Sequence, residues 1–148
     1  MKARKGFTLV ELLIVMAIIA ALMAILIPMA GGAMKKARAT KIAVTMRNIE
    51  QAAEQWLMAE LPDSYNIAIE NGQGGNDLES KGYLNDGDYT GYGLTITESN
   101  GVITIQVTYS TNDSDLGNLI VSSLSDAYPD ANYNNNTVTI QKTINKFW

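Results

Sequence analysis

The stretch from Met1 to Ala30, MKARKGFTLVELLIVMAIIAALMAILIPMA, constrains this chain more than any other part of it. Every side chain from Leu12 to Ile27 is apolar, and Pro28 closes the run. As a helix, the segment from Phe7 to Ala30 is long enough to span the ~30 Å hydrocarbon core of a bilayer. One carboxylate, Glu11, stands near its start, and a charge there is costly unless something pairs with it. The cheaper alternative is that the side chain snorkels back to the interface. Lys2, Arg4 and Lys5 precede the run and place the N-terminus on the cytoplasmic side. An ordinary secretory signal has an apolar stretch of only ~7–15 residues and a small-x-small cleavage site. A plain N-in anchor accounts for everything except Glu11.

The rest of the composition removes most familiar chemistry. The 148 residues include no cysteine and no histidine. Disulfides, thiolate chemistry, Ser–His–Asp triads and His-ligated zinc are therefore excluded, as is a histidine base titrating near neutrality. The net charge of −4 hides an uneven distribution. Residues 1–6 carry +3, residues 7–60 carry +1, and residues 61–148 carry −8. An acidic C-terminal region argues for solubility and against a nucleic-acid site, which needs clustered Lys and Arg.

The residues around the acid carry more information than the acid alone. Lys5-Gly6-Phe7-Thr8-Leu9-Val10-Glu11-Leu12 closely resembles the class III signal of type IV pilins and the related pseudopilins. In that family a short basic leader ends in glycine, a phenylalanine usually follows, a glutamate stands four positions later, and an apolar helix completes the segment. The resemblance covers roughly Met1 to Ala59. It implies that residues 1–6 are a leader cut after Gly6 by a prepilin peptidase, and that Phe7 becomes an N-methylated terminus. It also implies that Glu11 pairs with the Phe7 amine of a neighbouring subunit during filament assembly, with Thr8 a further hydrogen-bonding member of that cluster. The physics is coherent, because a buried carboxylate selects positions that supply a cation, and a helix N-terminus adds its own positive end.

Pro28, Gly31 and Gly32 form a weak point in the helix. Proline removes one hydrogen bond and crowds the carbonyl of Ala24, and each glycine costs ~1 kcal/mol relative to alanine. A kink at the membrane exit and a segment that loses helicity on passing from bilayer to filament are both compatible with this.

Beyond residue 33 the pattern becomes amphipathic. Ile42, Met46, Ile49, Ala53, Trp56 and Leu57 form a stripe at helical spacing. Lys35, Lys36, Lys41, Arg47, Glu50 and Glu54 mostly fall on the other faces, and Leu61-Pro62 ends the helix. Residues 61–92 read as a loop rich in Gly, Asn and Asp, with a short helix at Asp77–Lys81. A β-hairpin over 94–109 turns at Ser99-Asn100-Gly101, and a helix over 114–128 has Asp113 or Ser114 as N-cap. Its apolar face holds Leu116, Leu119, Ile120, Leu124 and Ala127. A last strand over 137–144 follows a turn at Asn134–Asn136.

The expected fold is thus α+β, a pilin fold. A long N-terminal α-helix, apolar in its first half and amphipathic in its second, packs on a small antiparallel sheet of at least three strands with one inserted helix. The division is a leader (1–6), a transmembrane or filament-core segment (7–33) and a head (34–148). The chain departs from many pilins in lacking a C-terminal disulfide, and the inserted helix is less typical of the short-leader subgroup. Phe147 and Trp148 read as a packing clamp. Asn85, Asp86 and Asp88 lack the spacing of a calcium loop and fit a solvated Asx turn. Asn112-Asp113-Ser114 and Asn135-Asn136-Thr137 match a glycan acceptor pattern that is common by chance. The seven tyrosines form no helical stripe.

The resemblance implies a structural subunit, not an enzyme, with neither cofactor nor metal. Its partners are copies of itself in a helical filament, the inner membrane before assembly, the prepilin peptidase and the pilus assembly machinery. A major pilin of an extracellular fibre serving adhesion, surface motility or DNA uptake is the leading expectation. A pseudopilin of a type II secretion system, in a short periplasmic filament, is the alternative. A single-pass membrane protein with a sensor or binding head, in which Glu11 is incidental, is a third.

Overall fold

The computed structural model describes residues 6–69 and 77–148. In chain order the elements are α1 (Leu9–Glu60), β1 (Tyr92–Ser99), β2 (Val102–Ser110), α2 (Ser114–Leu124), β3 (Asn132–Asn134) and β4 (Thr137–Asn145). The four strands form one antiparallel sheet in the order β1-β2-β4-β3. This is the expected α+β architecture, a long N-terminal helix with a four-stranded sheet and a second helix. The chain divides into two compact units, the first ending at Lys36 and the second beginning at Ala37.

The first unit holds the apolar part of α1. Its large side chains from Leu9 to Met34 are all exposed, none less than the 45% of Ile19. Helix is continuous through Pro28, Gly31 and Gly32. Proline has no N–H to give Ala24, so at least that carbonyl lacks its usual helical partner.

The second unit contains every residue of the hydrophobic core, from Ala39 to Ile140. Ile42, Met46, Ile49, Ala53, Trp56 and Leu57 of α1 are all buried, as their spacing predicts. The sheet supplies the opposing face by strict alternation. Ile103, Ile105 and Val107 of β2 are fully buried, together with Val138 and Ile140 of β4. The register places Val107 opposite Ile140 and Ile96 opposite Ile105, so one face of the sheet is continuous and apolar. Leu116, Ile120 and Leu124 of α2 complete the core.

Two hairpins fix the strand registers. Asn100 and Gly101 have φ of 53° and 77°, and Asn135 and Asn136 have φ of 47° and 60°. Positive φ at both central residues is what a two-residue type I′ turn requires, and its twist matches that of the flanking strands. The second of these turns joins β3 to β4, so the region before the expected last strand is itself a short strand. Gly117 of α2 lies under the Tyr133 ring of β3. A Cβ there would stand 2.5 Å from the ring, so only glycine permits this approach.

Four expectations are corrected. Residues 77–81 form hydrogen-bonded turns rather than a helix: Asp77 Oδ1 accepts from the Ser80 amide at 2.6 Å, and Leu78 O accepts from the amides of both Tyr83 and Leu84. The chain is thereby reversed after one turn. Helix α2 ends at Leu124 instead of residue 128, because Ser125 and Tyr128 close the last turn, and Ala127 is exposed. Asp113 is its N-cap, accepting from the Leu116 amide at 3.1 Å. Glu50 lies on the buried side of α1, not on a solvent face, with 1% of its surface exposed. Of the C-terminal pair, only Trp148 acts as a clamp, donating from Nε1 to Pro62 O at 3.4 Å, whereas Phe147 is 66% exposed.

Candidate functional site: the start of helix α1 and two polar clusters

The N-terminal site is built from Gly6, Phe7, Thr8 and Glu11. Gly6 is exposed, non-helical and has open space where a Cβ would be. Phe7 follows, 93% exposed. Thr8 and Glu11 then form a capping box at the first turn of α1. The Thr8 amide donates to Glu11 Oε2 at 2.8 Å, and the Glu11 amide donates to Thr8 Oγ1 at 3.2 Å. The Thr8 hydroxyl also donates to Glu11 Oε2 at 2.9 Å. Reciprocal capping of this kind satisfies amides that the first helical turn would otherwise leave open. It engages one carboxylate oxygen and leaves Oε1 without a protein partner among the described residues. Thr8 and Glu11 thus meet within one chain, with Gly6 and Phe7 directly before them. The basic residues Lys2, Arg4 and Lys5 lie outside the described residues.

From Leu9 onward the helix is long and apolar enough to cross a membrane, and none of its most apolar window is buried. An exposed apolar surface of this extent requires lipid or other apolar helices around it. The helix breakers expected at Pro28, Gly31 and Gly32 sit near the end of its apolar part, with nothing packed where a glycine Cβ would be added.

The head carries a second polar cluster. Lys142 stands opposite Ile105 in the register, on the face of the sheet that the core occupies. Its ammonium lies 2.6 Å from Glu54 and 3.4 Å from Glu50. The other oxygen of Glu50 accepts from the Tyr128 hydroxyl at 2.7 Å. Burial, and then the Glu50 carboxylate, push the Tyr128 phenol well above its ordinary range. Glu54, through its hydrogen bond, raises Lys142. A buried carboxylate is tolerated only with such partners, and this set ties α1 to β4 and to the segment after α2.

A third cluster gathers at the C-terminus. Glu98 accepts from the Tyr65 hydroxyl at 2.7 Å and from Lys146 at 3.0 Å, and Lys146 lies 5.7 Å from the ring centroids of Tyr65 and Trp148. These contacts hold the end of the chain without a disulfide. Asp88 Oδ1 accepts from both the amide and the hydroxyl of Thr90, at 3.0 and 2.6 Å, which is the expected local turn. Asn112 accepts from the Asn136 side chain at 3.2 Å, bracing α2's entrance against the second hairpin turn.

Neither the Glu50 cluster nor a cleft beside α1 was legible as a site in the sequence. For the cleft a signal existed: Asn48, Gln51 and Gln55 recur at spacings of three and four, an uncharged polar stripe beside the apolar one.

Residues 1–27 match a family model described as the prokaryotic N-terminal methylation motif. No curated protein and no solved structure matched the chain. The motif points to a structural protein rather than an enzyme, and with the apolar helix it fits a membrane-anchored precursor processed by a prepilin peptidase. Residues 1–27 therefore carry the class III signal peptide found in type IV pilins and pseudopilins.

Proposed function

We propose that this chain is the major pilin of a type IV pilus. Residues 1–6 form the leader, cut between Gly6 and Phe7, and Phe7 carries the N-methyl group. Residues 7–33 anchor the precursor in the inner membrane and then form the filament core, while residues 34–148 form the exposed head. Glu11 selects the Phe7 amine of another copy. Pro28, Gly31 and Gly32 let the helix adjust between the two environments. The fibre serves adhesion, surface motility or DNA uptake.

The observation that carries this reading is the coincidence at the start of α1. A helix exposing an unbroken apolar surface begins with a carboxylate whose Oε1 is unused while Oε2 is held by Thr8. In an apolar bundle a neighbouring ammonium is a strong partner for that oxygen. The half-satisfied carboxylate is tolerated before assembly because the capping box is already made, and it gains a full partner only in the filament.

The test combines chemistry and microscopy. Surface material sheared from cells should contain fibres built from this chain, and mass spectrometry of its N-terminus should find N-methylphenylalanine at Phe7. A Phe7-initiated, methylated chain that stays in the periplasmic and membrane fractions, with no surface fibre, rejects the major-pilin reading. An unprocessed chain beginning at Met1 rejects the assignment altogether.

A further inference from the structure

We infer that the cleft between α1 and the segment Tyr83–Tyr89 is a binding site for an uncharged carbohydrate. The cleft encloses about 260 Å³ and lies wholly within the second compact unit. Asn48, Gln51 and Gln55 form its helical wall, and Tyr83, Asn85 and Tyr89 form the other. Ala52 and Leu84 also line it, and both are buried.

Three observations point to the ligand class. First, no lining residue is charged, although α1 carries Lys41, Arg47, Glu54 and Glu60 nearby in sequence. Ionic ligands therefore find no counter-charge on the wall. Second, the side-chain amides of Asn48, Gln51, Gln55 and Asn85 make no hydrogen bond to protein among the described residues. Each amide offers two donors and one acceptor oxygen. Four unengaged amides on one small cleft match a ligand that both donates and accepts at several closely spaced atoms, as vicinal hydroxyls do. Third, Tyr83 and Tyr89 add two phenols and the accessible lining is mostly polar, which suits a ligand rich in hydroxyl groups.

The site is held in shape before any ligand arrives. Tyr89 donates its hydroxyl to Asn85 O at 2.7 Å, and its ring meets Tyr92 edge-on at 6.2 Å. Tyr92 in turn packs on Tyr109 at 4.8 Å, so one wall is fastened to β1 and β2. The amides of Tyr83 and Leu84 are both bound to Leu78 O. The other wall is the side of a helix whose opposite face is in the core. The volume falls just below the ~300–1,000 Å³ of sites that enclose a drug-sized molecule, which suits one pyranose ring or the end of a longer glycan.

The inference is independent of how residues 7–36 assemble. The test uses the full chain in detergent micelles, with nitrogen-15 labelling, titrated with D-galactose, D-glucose and N-acetyl-D-glucosamine. Saturable shifts confined to the side-chain amide signals of Asn48, Gln51, Gln55 and Asn85 are expected for at least one sugar, at millimolar affinity. Gln51→Ala and Asn48→Ala, both at exposed positions, should each weaken that binding roughly five- to tenfold while leaving the other amide signals in place. Tighter binding of D-glucuronate than of the neutral sugars would overturn the assignment of an uncharged ligand. So would the absence of any saturable shift, or unchanged binding when Asn48→Ala and Gln51→Ala are combined. Shifts that follow protein concentration rather than sugar would identify a second copy of the chain as the occupant, and would equally overturn it.

Discussion

The two parts of helix α1 share a secondary structure and almost nothing else. Before Lys36 its large apolar side chains are exposed throughout, while after Ala37 ten of its residues are buried. In the first part hydrophobicity is uniform around the helix and the only directional information is one carboxylate. In the second it is confined to a stripe, and the direction is set by what the stripe packs against. The first part thus has little to contribute to the stability of the head, which rests on the stripe of the second.

The sharpest way to break that contrast is Glu11→Ala. Surface filament yield should fall at least ~10-fold, because an unpaired ammonium among apolar helices costs several kcal/mol, as read by immunoblotting of sheared material. Thermal melting of the head should move by less than ~0.5 kcal/mol in stability, and a larger shift would unite what the contrast separates. Met46→Ala reverses the pattern. It should destabilise the head by about 3 kcal/mol in urea titration, whereas Met23→Ala changes that stability by less than ~0.5 kcal/mol.

The buried acid provides a finer test. Glu50→Ala leaves Lys142 and Tyr128 short of a partner and should cost about 2 kcal/mol, less than for a fully buried pair because Lys142 remains partly exposed. A double-mutant cycle with Lys142→Met isolates the coupling. Gly101→Ala should cost about 1 kcal/mol, since alanine resists the left-handed conformation of the hairpin turn. The smallest effect is on pH dependence. Tyr128 has a raised pKa in the folded state, first from burial and then from Glu50. Its contribution is fully present below the unfolded value near 10 and declines as pH rises through and above it. Tyr128→Phe should therefore flatten the alkaline loss of stability, with tyrosinate absorbance reporting one fewer late-ionising phenol.

The sequence made the first part of α1 and its companions legible because their signals are local. The Gly6-Phe7 junction, the spacing from Phe7 to Glu11, the stripe from Ile42 to Leu57 and the Asn100-Gly101 turn all lie within a few residues of each other. What stayed hidden depends on distant partners. Glu50 reads as a solvent-facing charge until Tyr128 and Lys142 are placed beside it by the fold. Lys142 looks like an ordinary polar member of a strand, yet the alternation Val138, Ile140, Lys142 puts it on the core side, where its long stem reaches α1. Strand β3 consists of two asparagines around a tyrosine, a composition that opposes strand formation. Pairing with β4 through a tight turn overrides it. The Asp77–Lys81 segment begins like a helix, and the pull of the Tyr83 and Leu84 amides on Leu78 O ends it after one turn.

That the hydrophobic core begins only at Ala39 bears on the life cycle of the subunit. No described residue of the core lies before Ala39. The head can complete its folding once, at synthesis, and stay folded through every later change of environment. In the filament proposed above, passage from bilayer to filament would then change the surroundings of one helix and leave the core of the head intact. Disassembly of such a proposed filament would release heads that need no refolding.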